Sequence, residues 1–447
     1  MVELASRRPA VSVIIPARNR KDYLVHTLRL LAEQSYPAND TEVVVVDDGS
    51  TDGTQHALAE QRYPFRLVYH RLDTAGTVFW AARPRNAGLR RATGPLAVLL
   101  DSDILVGAGF IAAHVALHAA RPAGARPRIA IGDVFGTSQD SEARSAARLQ
   151  PPSCADLAQL VRVEQRPPSG WTEGRAEYAR AWPELATCPA PWLLFWGGNV
   201  SLPRELAIAL GGFDEQFRGW GCEDNDLGYR MFHDGAEYLW AHDAWGVHYP
   251  HPVSPTIEVE VRRNCLYLLR KFPDPLVEAV LWSVRLAHPL DRPLDRPAGP
   301  ALERWRVDVV REIDQARRAY LAAPPPRIPD ELLAAVGAAC APGASVLWSG
   351  PPAPAGQLPP GVVHSDLVGL ATPWSDAEFS VAVAIDHWTY LAPAQLRAVV
   401  RELGRVASRV LLAATGARPV PAALDAELRA VGRQRPLGDA GALWELH

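Results

Sequence analysis

The segment Glu42-Val-Val-Val-Val-Asp47-Asp48-Gly49-Ser50 decides the fold of the first part of the chain. Four consecutive valines are typical of a strand that is covered on both faces, as in a parallel sheet flanked by helices. The strand stops at an Asp-Gly turn, and Ser50 or Thr51 is available to cap a helix that runs to Ala59. This segment therefore predicts one strand–helix unit of an α/β domain.

The same alternation continues on both sides of this segment. The apolar pattern predicts further strands at Val11–Ile15, Arg66–His70 and Leu96–Leu100, with helices at Leu24–Glu33 and Ala82–Ala92. This order indicates a doubly wound, mostly parallel sheet, whose ligands bind beyond the carboxyl ends of the strands. Polar residues follow three of the four strands at that edge: Pro16-Ala17-Arg18, Asp47-Asp48 and Asp101-Ser102-Asp103.

The composition excludes several classes of protein. Of 447 residues, 48% are hydrophobic and 21% charged, and 46 basic against 50 acidic side chains give a net charge of −4. Because broad nucleic-acid binding needs a basic footprint, we expect no nucleic-acid partner. No run approaches the roughly 18 to 20 apolar residues of a membrane span, so we expect no integral membrane segment. Five cysteines without a CxxC pair favour a reducing, cytoplasmic setting, and the oligomeric state is left open.

Breaks in the pattern divide the chain. Residues 136–190 are polar and proline-bearing with little periodicity, which predicts a long excursion over the sheet. The repeated Pro-Leu-Asp-Arg at 289–292 and 293–296 is typical of a linker, and a charged helix follows it. We expect a first domain at 1–286, a linker and charged helix at 287–329, and a smaller Rossmann-like α/β domain at 330–447.

Several groups suited to bind a metal and a diphosphate converge on the predicted sheet edge. Asp101 and Asp103 directly follow an apolar strand, and carboxylates in this position suit a ribose hydroxyl and a hard cation. Arg83, Arg85 and Asn86 begin a helix at the same edge, where backbone N–H groups and the helix dipole favour an anion. Each feature alone is also compatible with a solvated turn or face. Their coincidence at one edge indicates a shared site.

These residues belong to a series of motifs that resembles family 2 glycosyltransferases with the GT-A fold. The first half is Val11-Ser-Val-Ile-Ile-Pro16-Ala-Arg18-Asn, Val45-Val-Asp47-Asp48-Gly-Ser, Arg85-Asn86-Ala-Gly and Leu99-Leu-Asp101-Ser-Asp103. The second half is similar to the acceptor-side region of galactosyl- and N-acetylgalactosaminyltransferases: Trp196-Gly-Gly198-Asn199, Gly211-Gly-Phe-Asp-Glu215 and Gly219-Trp220-Gly-Cys222-Glu223-Asp224. The resemblance covers residues 9 to 275.

The resemblance implies a donor site for a UDP-sugar. Asp48 would contact the uracil, and Pro16, Ala17 and Arg18 would line its pocket. Asp101 would hold the ribose, with Ser102 beside it. Asp103 would bind a divalent metal, Mn²⁺ or Mg²⁺, that bridges the two phosphates. Arg83, Arg85 and Asn86 complete the predicted donor-binding set, and an arginine there would stabilise the leaving charge.

The resemblance also implies an acceptor side and a general base. Asp224 would accept the proton of the acceptor hydroxyl, which predicts inversion at the anomeric carbon. The predicted acceptor- and sugar-binding set is Trp196, Gly198, Asn199, Trp220 and Glu223. A histidine after the last core strand would complete the metal shell. We prefer His248 over His251 for that ligand.

One departure from the family pattern concerns the acceptor side, since Cys222 stands where the related transferases usually have glycine. It either narrows the acceptor pocket or is simply tolerated as a small buried hydrophobe.

Two other enzyme functions and one non-enzymatic function are alternatives to the glycosyltransferase interpretation. Sugar nucleotidyltransferases share the α/β plan, but their first strand is followed by a glycine-rich motif. Val11–Arg20 contains no glycine. A carbohydrate-binding scaffold would have lost its metal or base residues, yet Asp103 and Asp224 are present. Residues 345–414 resemble class I methyltransferases, with Trp348-Ser-Gly350-Pro-Pro in place of the glycine-rich loop. We therefore interpret the last domain as a degenerate methyltransferase-like module, with a bifunctional glycosyltransferase and methyltransferase as the alternative.

Overall fold

A computed structural model describes residues 9–74, 80–122, 124–136, 153–163, 175–248, 256–285, 300–324, 327–340, 343–352, 361–416, 418–437 and 441–446. The chain divides into two compact units. The first takes its residues from Met1–Asn264 and Ala298–Arg304, and the second from Cys265–Pro297 and Trp305–His447.

The first unit is built on one large sheet. Its strands are β1 (Val11–Ala17), β2 (Thr41–Asp47), β3 (Arg66–Arg71), β4 (Leu96–Leu100), β5 (Ile104–Val106), β6 (Arg128–Phe135), β7 (Asn199–Pro203) and β8 (Glu237–His248). They form an eight-stranded sheet in the order β3-β2-β1-β4-β7-β6-β8-β5. Strands β1 to β4 are parallel, as are β6 and β8, whereas β7 and β5 run antiparallel to their neighbours. This mostly parallel sheet confirms the predicted α/β class.

Helices separate the strands, as predicted. They are α1 (Lys21–Ala32), α2 (Thr54–Ala59), α3 (Ala82–Arg91), α4 (Phe110–Ala119), α5 (Cys154–Val163), α6 (Arg175–Ala181), α7 (Arg204–Ala209), α8 (Glu223–His233) and α9 (Ile257–Lys271). All four valines of β2 are fully buried, and Val43 and Val45 pack in one core with the apolar face of α1. A continuous valine run is stable here because both faces of the strand are covered.

The parallel register brings the predicted site residues to one edge. Ala17 at the end of β1 pairs with Asp47 at the end of β2, and β4 runs parallel to β1 on the other side. The segments that follow these strands, including Asp48 and Asp101, therefore leave the sheet at the same edge.

Two local predictions are wrong. Helix α2 begins at Thr54 after Gly53, whose φ is 84°. Neither Ser50 nor Thr51 caps it, because Asp47 Oδ1 accepts the Ser50 N–H at 2.7 Å and Asp52 Oδ1 accepts the Thr54 N–H at 3.1 Å. The excursion predicted at 136–190 contains helices α5 and α6 in its described parts, which sequence periodicity alone did not indicate.

The second unit has a sheet of its own. Its strands are β9 (Val346–Ser349), β10 (Val362–Ser365), β11 (Phe379–Ile385), β12 (Ala407–Ala414), β13 (Gly432–Leu437) and β14 (Gly441–Leu446), in the order β10-β9-β11-β12-β14-β13. The first four in this order are parallel, and β14 runs antiparallel to β12 and β13. This smaller Rossmann-like sheet confirms the predicted second α/β fold.

Helices α10 (Pro275–Arg285), α11 (Pro300–Ala322), α12 (Asp330–Ala339), α13 (Pro393–Val406) and α14 (Ala422–Arg429) complete the described chain. In the second unit, the fully buried Glu278 of α10 accepts the N–H groups of Val368, Gly369 and Ala371 at 2.7 to 3.0 Å. This carboxylate fixes the segment that leads from β10 to β11. None of the helices in the described ranges is both long and apolar enough to cross a bilayer.

Candidate active site

A single buried arginine links the predicted donor and acceptor sides. The guanidinium of Arg85 lies 2.9 Å from carboxylate oxygens of Asp101, Glu223 and Asp224. Its Nη2 donates to Asp101 at the end of β4, and its Nη1 donates to both carboxylates in the first turn of α8. The arginine is only 4% exposed, so solvent screens these pairs little. Carboxylates that are more than a hundred residues apart in sequence therefore share one cation.

Two glycines make room for this arginine. The N–H of Gly197 donates to Oδ2 of Asp224 at 2.8 Å. A Cβ on Gly197 would lie 2.7 Å from Cζ of Arg85, and one on Gly198 would lie 3.1 Å from Oδ2 of Asp101. The close approach of the guanidinium therefore requires glycine at 197. Sequence analysis singled out Gly198 and missed Gly197, although the Gly-Gly pair itself was the available signal.

The cluster holds three carboxylates for one cation, so its members titrate together. Burial raises the pKa of Glu223 to about 7, and the neighbouring charge of Asp224 adds to this, while Arg85 lowers it. Burial also raises the pKa of Asp224, against the lowering effects of Arg85 and the Gly197 N–H. Within the described residues, Oε2 of Glu223 is buried without a hydrogen-bond partner, whereas both oxygens of Asp224 accept hydrogen bonds. A proton is therefore held more readily by Glu223, and Asp224 is the more readily ionised of the two.

A second carboxylate site lies at the ends of β1 and β2. Asp48 is 2% exposed, and its Oδ2 lies 3.3 Å from Nη1 of Arg18. Burial raises the pKa of Asp48, and Arg18 and Arg83 offset part of this rise because both cations face the carboxylate. Pro16 and Ala17 precede Arg18 and are buried at the end of β1. These five predicted donor-site residues therefore lie in one region.

The predicted metal ligands lie side by side. Asp103 follows β4 through the buried Ser102, and its Oδ1 is 3.9 Å from Nε2 of His248 at the end of β8. A carboxylate and an imidazole within this distance suit one Mn²⁺ or Mg²⁺ ion whose other ligands are phosphate oxygens. Within the described ranges, no three His, Cys, Asp or Glu side chains are arranged so that they could hold a metal ion on their own. His251 lies outside the described residues.

Asn86 holds a loop of the first unit together. Its Nδ2 donates to the carbonyl of Phe213 at 2.8 Å and to Oε1 of Glu215 at 2.9 Å, and its Oδ1 accepts the Phe213 N–H at 2.8 Å. The side chain is 5% exposed, and all of these partners belong to the segment after α7. Asn86 therefore holds this segment in place, and its predicted contact with the donor stays a prediction.

Asn199 is likewise part of the frame of the site. It is fully buried, its Nδ2 donates to the carbonyls of Asp133 and Ala244 at 3.0 and 2.7 Å, and its Oδ1 lies 2.9 Å from Nε2 of His114. Burial lowers the pKa of His114 to about 3, so this histidine is neutral and donates to Asn199. The amide of Asn199 thus binds groups inside the protein, and its predicted contact with a sugar stays a prediction.

Trp196 is fixed by an arginine that the sequence did not single out. Arg175 of α6 is 1% exposed, and its guanidinium lies 4.8 Å from the centre of the Trp196 ring. It also donates to the carbonyl of Trp196 at 3.1 Å and to the carbonyl of Gly132. This cation–π contact leaves Trp196 as a rigid, partly buried wall. No motif surrounds Arg175, so sequence reasoning had nothing by which to find it.

The segment that enters α8 presents a large exposed ring. Trp220 is 60% exposed, and the next residues lead directly to Glu223 and Asp224. Cys222 is 8% exposed and adopts a left-handed conformation with φ of 72°. This backbone conformation explains why glycine is the usual residue at that position in the related motif, and it supports the interpretation of Cys222 as a buried, tolerated side chain.

Comparisons with known proteins bear on this site. Residues 12–154 match the model of "Glycosyl transferase family 2", and residues 184–248 match the model of "N-terminal domain of galactosyltransferase". The two matches contain the Arg85 cluster and the Asp103–His248 pair. They confirm the predicted resemblance of the first unit to glycosyltransferases and its GT-A architecture. Neither match extends into residues 330–447.

Curated relatives include validoxylamine A glucosyltransferase from Streptomyces hygroscopicus subsp. jinggangensis, which is 35% identical over 62% of this chain and 64% of its own length. Chondroitin synthase of Escherichia coli is 30% identical over 54% of this chain and 35% of its own length. The chain thus spans less than two thirds of the length of these relatives.

Solved structures that are similar include a mannosyltransferase of Pyrobaculum calidifontis in complex with GDP-mannose and Mn²⁺ (TM-score 0.42, 21% identity, 74% of this chain and 80% of that one). A second is Staphylococcus aureus TarS residues 1–349 with UDP-GlcNAc (TM-score 0.41, 17% identity, 69% of this chain and 91% of that one). Likenesses at these TM-scores say nothing further about the function of the chain.

Proposed function

We propose that the first unit is a metal-dependent, inverting glycosyltransferase. It would move a hexose or N-acetylhexosamine from a UDP-sugar to a hydroxyl of a glycan or small-molecule acceptor. The observation that carries the proposal is the Arg85 cluster, in which one guanidinium binds Asp101 of the predicted donor side and Asp224 of the predicted acceptor side. A reaction between two bound molecules needs these two sides within reach of each other.

The donor half of the proposal rests on Asp48 and Asp101. The carboxylate of Asp48 is buried beside Arg18 at the ends of β1 and β2. An ionised carboxylate accepts hydrogen bonds, and the N3–H of uracil is a suitable donor. The carboxylate of Asp101 is 37% exposed while one oxygen is bound to Arg85, which leaves it accessible to a ribose hydroxyl.

The metal half of the proposal rests on Asp103 and His248. A carboxylate and an imidazole could both serve as ligands of Mn²⁺, and the two are adjacent in the structure. A bound divalent ion would neutralise the charge that develops on the leaving diphosphate. Asp103 and His248 would hold that ion, and the arginines at the sheet edge would add cationic charge near the phosphates.

The base in this proposal is Asp224. A general base must accept a proton from the acceptor hydroxyl within hydrogen-bond distance. Arg85 and the Gly197 N–H fix both oxygens of Asp224 in place and favour its ionised form. If the base and the donor phosphates approach the sugar from opposite sides, attack would be direct and the anomeric configuration would invert.

The relatives suggest substrate classes without selecting one. Their names describe transfer of glucose to a small molecule and synthesis of a polysaccharide. We therefore keep both a natural product and a glycan as candidate acceptors for this chain.

A nucleotide-sugar screen tests the proposal. The full chain is incubated with UDP-glucose, UDP-GlcNAc, UDP-galactose, UDP-GalNAc and GDP-mannose, and release of nucleoside diphosphate is measured with Mn²⁺ and with excess chelator. We expect release from at least one UDP-sugar and its loss with chelator. Asp224→Asn is expected to lower turnover by about 10²- to 10⁴-fold while UDP binding persists, whereas Asp234→Asn at the exposed end of α8 serves as the matched control.

Two results would contradict the proposal. Full turnover of Asp224→Asn would reject the base. Release of pyrophosphate from UTP and a sugar 1-phosphate, without transfer to an acceptor, would identify a sugar nucleotidyltransferase instead.

For the rest of the chain we keep the proposed division at 1–286, 287–329 and 330–447, with a degenerate methyltransferase-like last domain. The order of its parallel strands supports a nucleotide-binding ancestry. After β9, Gly350 has φ of 139°, and the carbonyl of Pro351 accepts the Trp348 indole N–H at 2.7 Å. Calorimetric titration of the full chain with S-adenosylmethionine is expected to show no binding. Binding would favour the bifunctional alternative.

A further inference from the structure

The loop that carries Trp220 has an unusual backbone. Gly219, Gly221 and Cys222 have φ values of 73°, 96° and 72°, so three of four consecutive residues lie in the left-handed region. Glycine adopts positive φ without steric cost, so the strain in this loop lies at Cys222, and a non-glycine residue keeps such a conformation where contacts from elsewhere hold it. The loop thus depends on its neighbours for its shape.

Helix α9 supplies those contacts. Nδ2 of Asn264, which is 2% exposed, lies 3.1, 3.1 and 2.9 Å from the carbonyl oxygens of Arg218, Trp220 and Gly221. One turn earlier, Oε2 of Glu260 accepts the N–H of Trp220 at 2.9 Å. The peptide groups on both sides of Trp220 are therefore bound by two side chains of one helix.

The packing against Glu260 is also close. A Cβ on Gly219 would lie 2.5 Å from Oε2 of Glu260. The other oxygen of Glu260 accepts the Thr256 hydroxyl at 2.7 Å, which fixes the rotamer of the glutamate. The indole of Trp220 nevertheless remains 60% exposed. These contacts therefore orient the backbone that carries Trp220, and they do not bury its ring.

We propose that Glu260 and Asn264 are positioning residues that set the Trp220 indole as the platform for the acceptor. Neither lies within the regions that match known families. The inference rests on the proposed function, because the platform is placed three residues before Glu223 of the Glu223–Asp224 pair. An exposed indole packs best on a flat face of C–H groups, so the acceptor is a cyclic polyol and not an extended chain of hydroxyls.

Acceptor kinetics provide the first test. With the UDP-sugar that the wild-type protein uses fastest, transfer to methyl β-glucoside and to myo-inositol is compared with transfer to acyclic sorbitol. We expect both rings to be preferred. In Asn264→Leu the acceptor KM should rise by about tenfold, while donor hydrolysis without acceptor changes far less. Trp220→Ala, which removes the platform itself, should raise the acceptor KM at least as much. Arg262→Gln on the same helix is the control and should behave as wild type.

Hydrogen–deuterium exchange provides a second test that needs no activity. The peptide containing residues 218–222 should exchange faster in Glu260→Ala and Asn264→Leu than in the wild type. Glu260→Gln keeps an oxygen for the Trp220 N–H and should restore both slow exchange and the acceptor KM.

The outcomes separate the two proposals. If no nucleotide sugar is hydrolysed by the wild-type protein, the proposed function fails. Unchanged exchange of 218–222 in Asn264→Leu overturns the positioning role whatever the activity. Faster exchange with an unaltered acceptor KM, or equal use of sorbitol and the rings, overturns the platform.

Discussion

Replacement of Arg85 by methionine is the sharpest perturbation of the site. Methionine keeps much of the length of the side chain and its packing near the Phe213 ring, which the guanidinium approaches at 5.6 Å. It removes the cation that three carboxylates share at 2.9 Å. Removal of one partner from a buried ion pair costs about 3 to 5 kcal/mol, because it leaves a buried charge uncompensated. We expect a loss of about that size in the stability of the first unit at pH 7.5.

The loss should depend on pH. Arg85 lowers the pKa values of Glu223 and Asp224 in the folded protein, so its removal should raise both pKa values further above those of the unfolded chain. Protonation then favours the folded state, so stability of the variant recovers as the pH falls through those raised pKa values. The difference from wild type should therefore be smaller at pH 5 than at pH 7.5.

The assay must report on the first unit alone, since a chain with two units need not unfold in one step. Hydrogen exchange of the β1 and β4 amides during a urea titration meets this need. Arg85→Lys retains the charge but not the planar fork that binds several oxygens at once, and we expect an intermediate loss. A variant Arg85→Met as stable as wild type at pH 7.5, or a loss that is equal at both pH values, would refute the reasoning.

Three further predictions follow from named contacts. Burial raises the pKa of Glu223 from 4.5 to about 7. Wild-type stability should therefore fall as the pH rises from 4.5 to 7, by at most about 1.4 kcal/mol per pH unit. Glu223→Gln should flatten this slope in the same exchange assay. His248→Ala should raise the Mn²⁺ concentration for half-maximal UDP release about tenfold or more. His242→Ala, at an exposed position of the same strand, is the control. The same Mn²⁺ concentration for half-maximal release in both variants would exclude His248 as a ligand. Glu278→Gln should destabilise the second unit by about 1 to 3 kcal/mol, measured by exchange of the β11 amides, because one amide nitrogen would then face a backbone N–H.

The sequence predicted the sheet edge of the site well. A valine run such as residues 43–46 specifies a buried parallel strand, and parallel strands end at one edge. Asp48, Asp101 and Asp103 could therefore be assigned to one region from their positions after predicted strands. The pairing of Ala17 with Asp47 is the register that this reasoning requires.

The Arg85 cluster could not be predicted in the same way. Arg85 and Asp224 are 139 residues apart, and neither periodicity nor turn chemistry fixes the contact of a helix N-terminus with a distant strand end. The motif placed Arg85 beside an anion, and the same side chain satisfies protein carboxylates instead. Whether it also reaches the diphosphate stays a prediction.

The sequence also does not show which of the motif side chains are buried. Asn86 and Asn199 look like ligand-binding amides in sequence because they lie inside the motifs, yet they are 5% and 0% exposed. Each amide satisfies backbone carbonyls that would otherwise be buried without partners. Gly197 shows the converse case, since only the position of the guanidinium explains the need for a residue without a side chain.

A crystal structure of the full chain with UDP and Mn²⁺ tests the central claim most directly. We predict that the uracil lies against Asp48 and that the ion lies between Asp103, His248 and the phosphates. Arg85 should keep its bonds to Asp101 and Asp224. Asp224 should face the β-phosphate across an empty sugar site. An Arg85 that leaves the carboxylates to bind the diphosphate, or UDP bound away from this edge, would contradict the account.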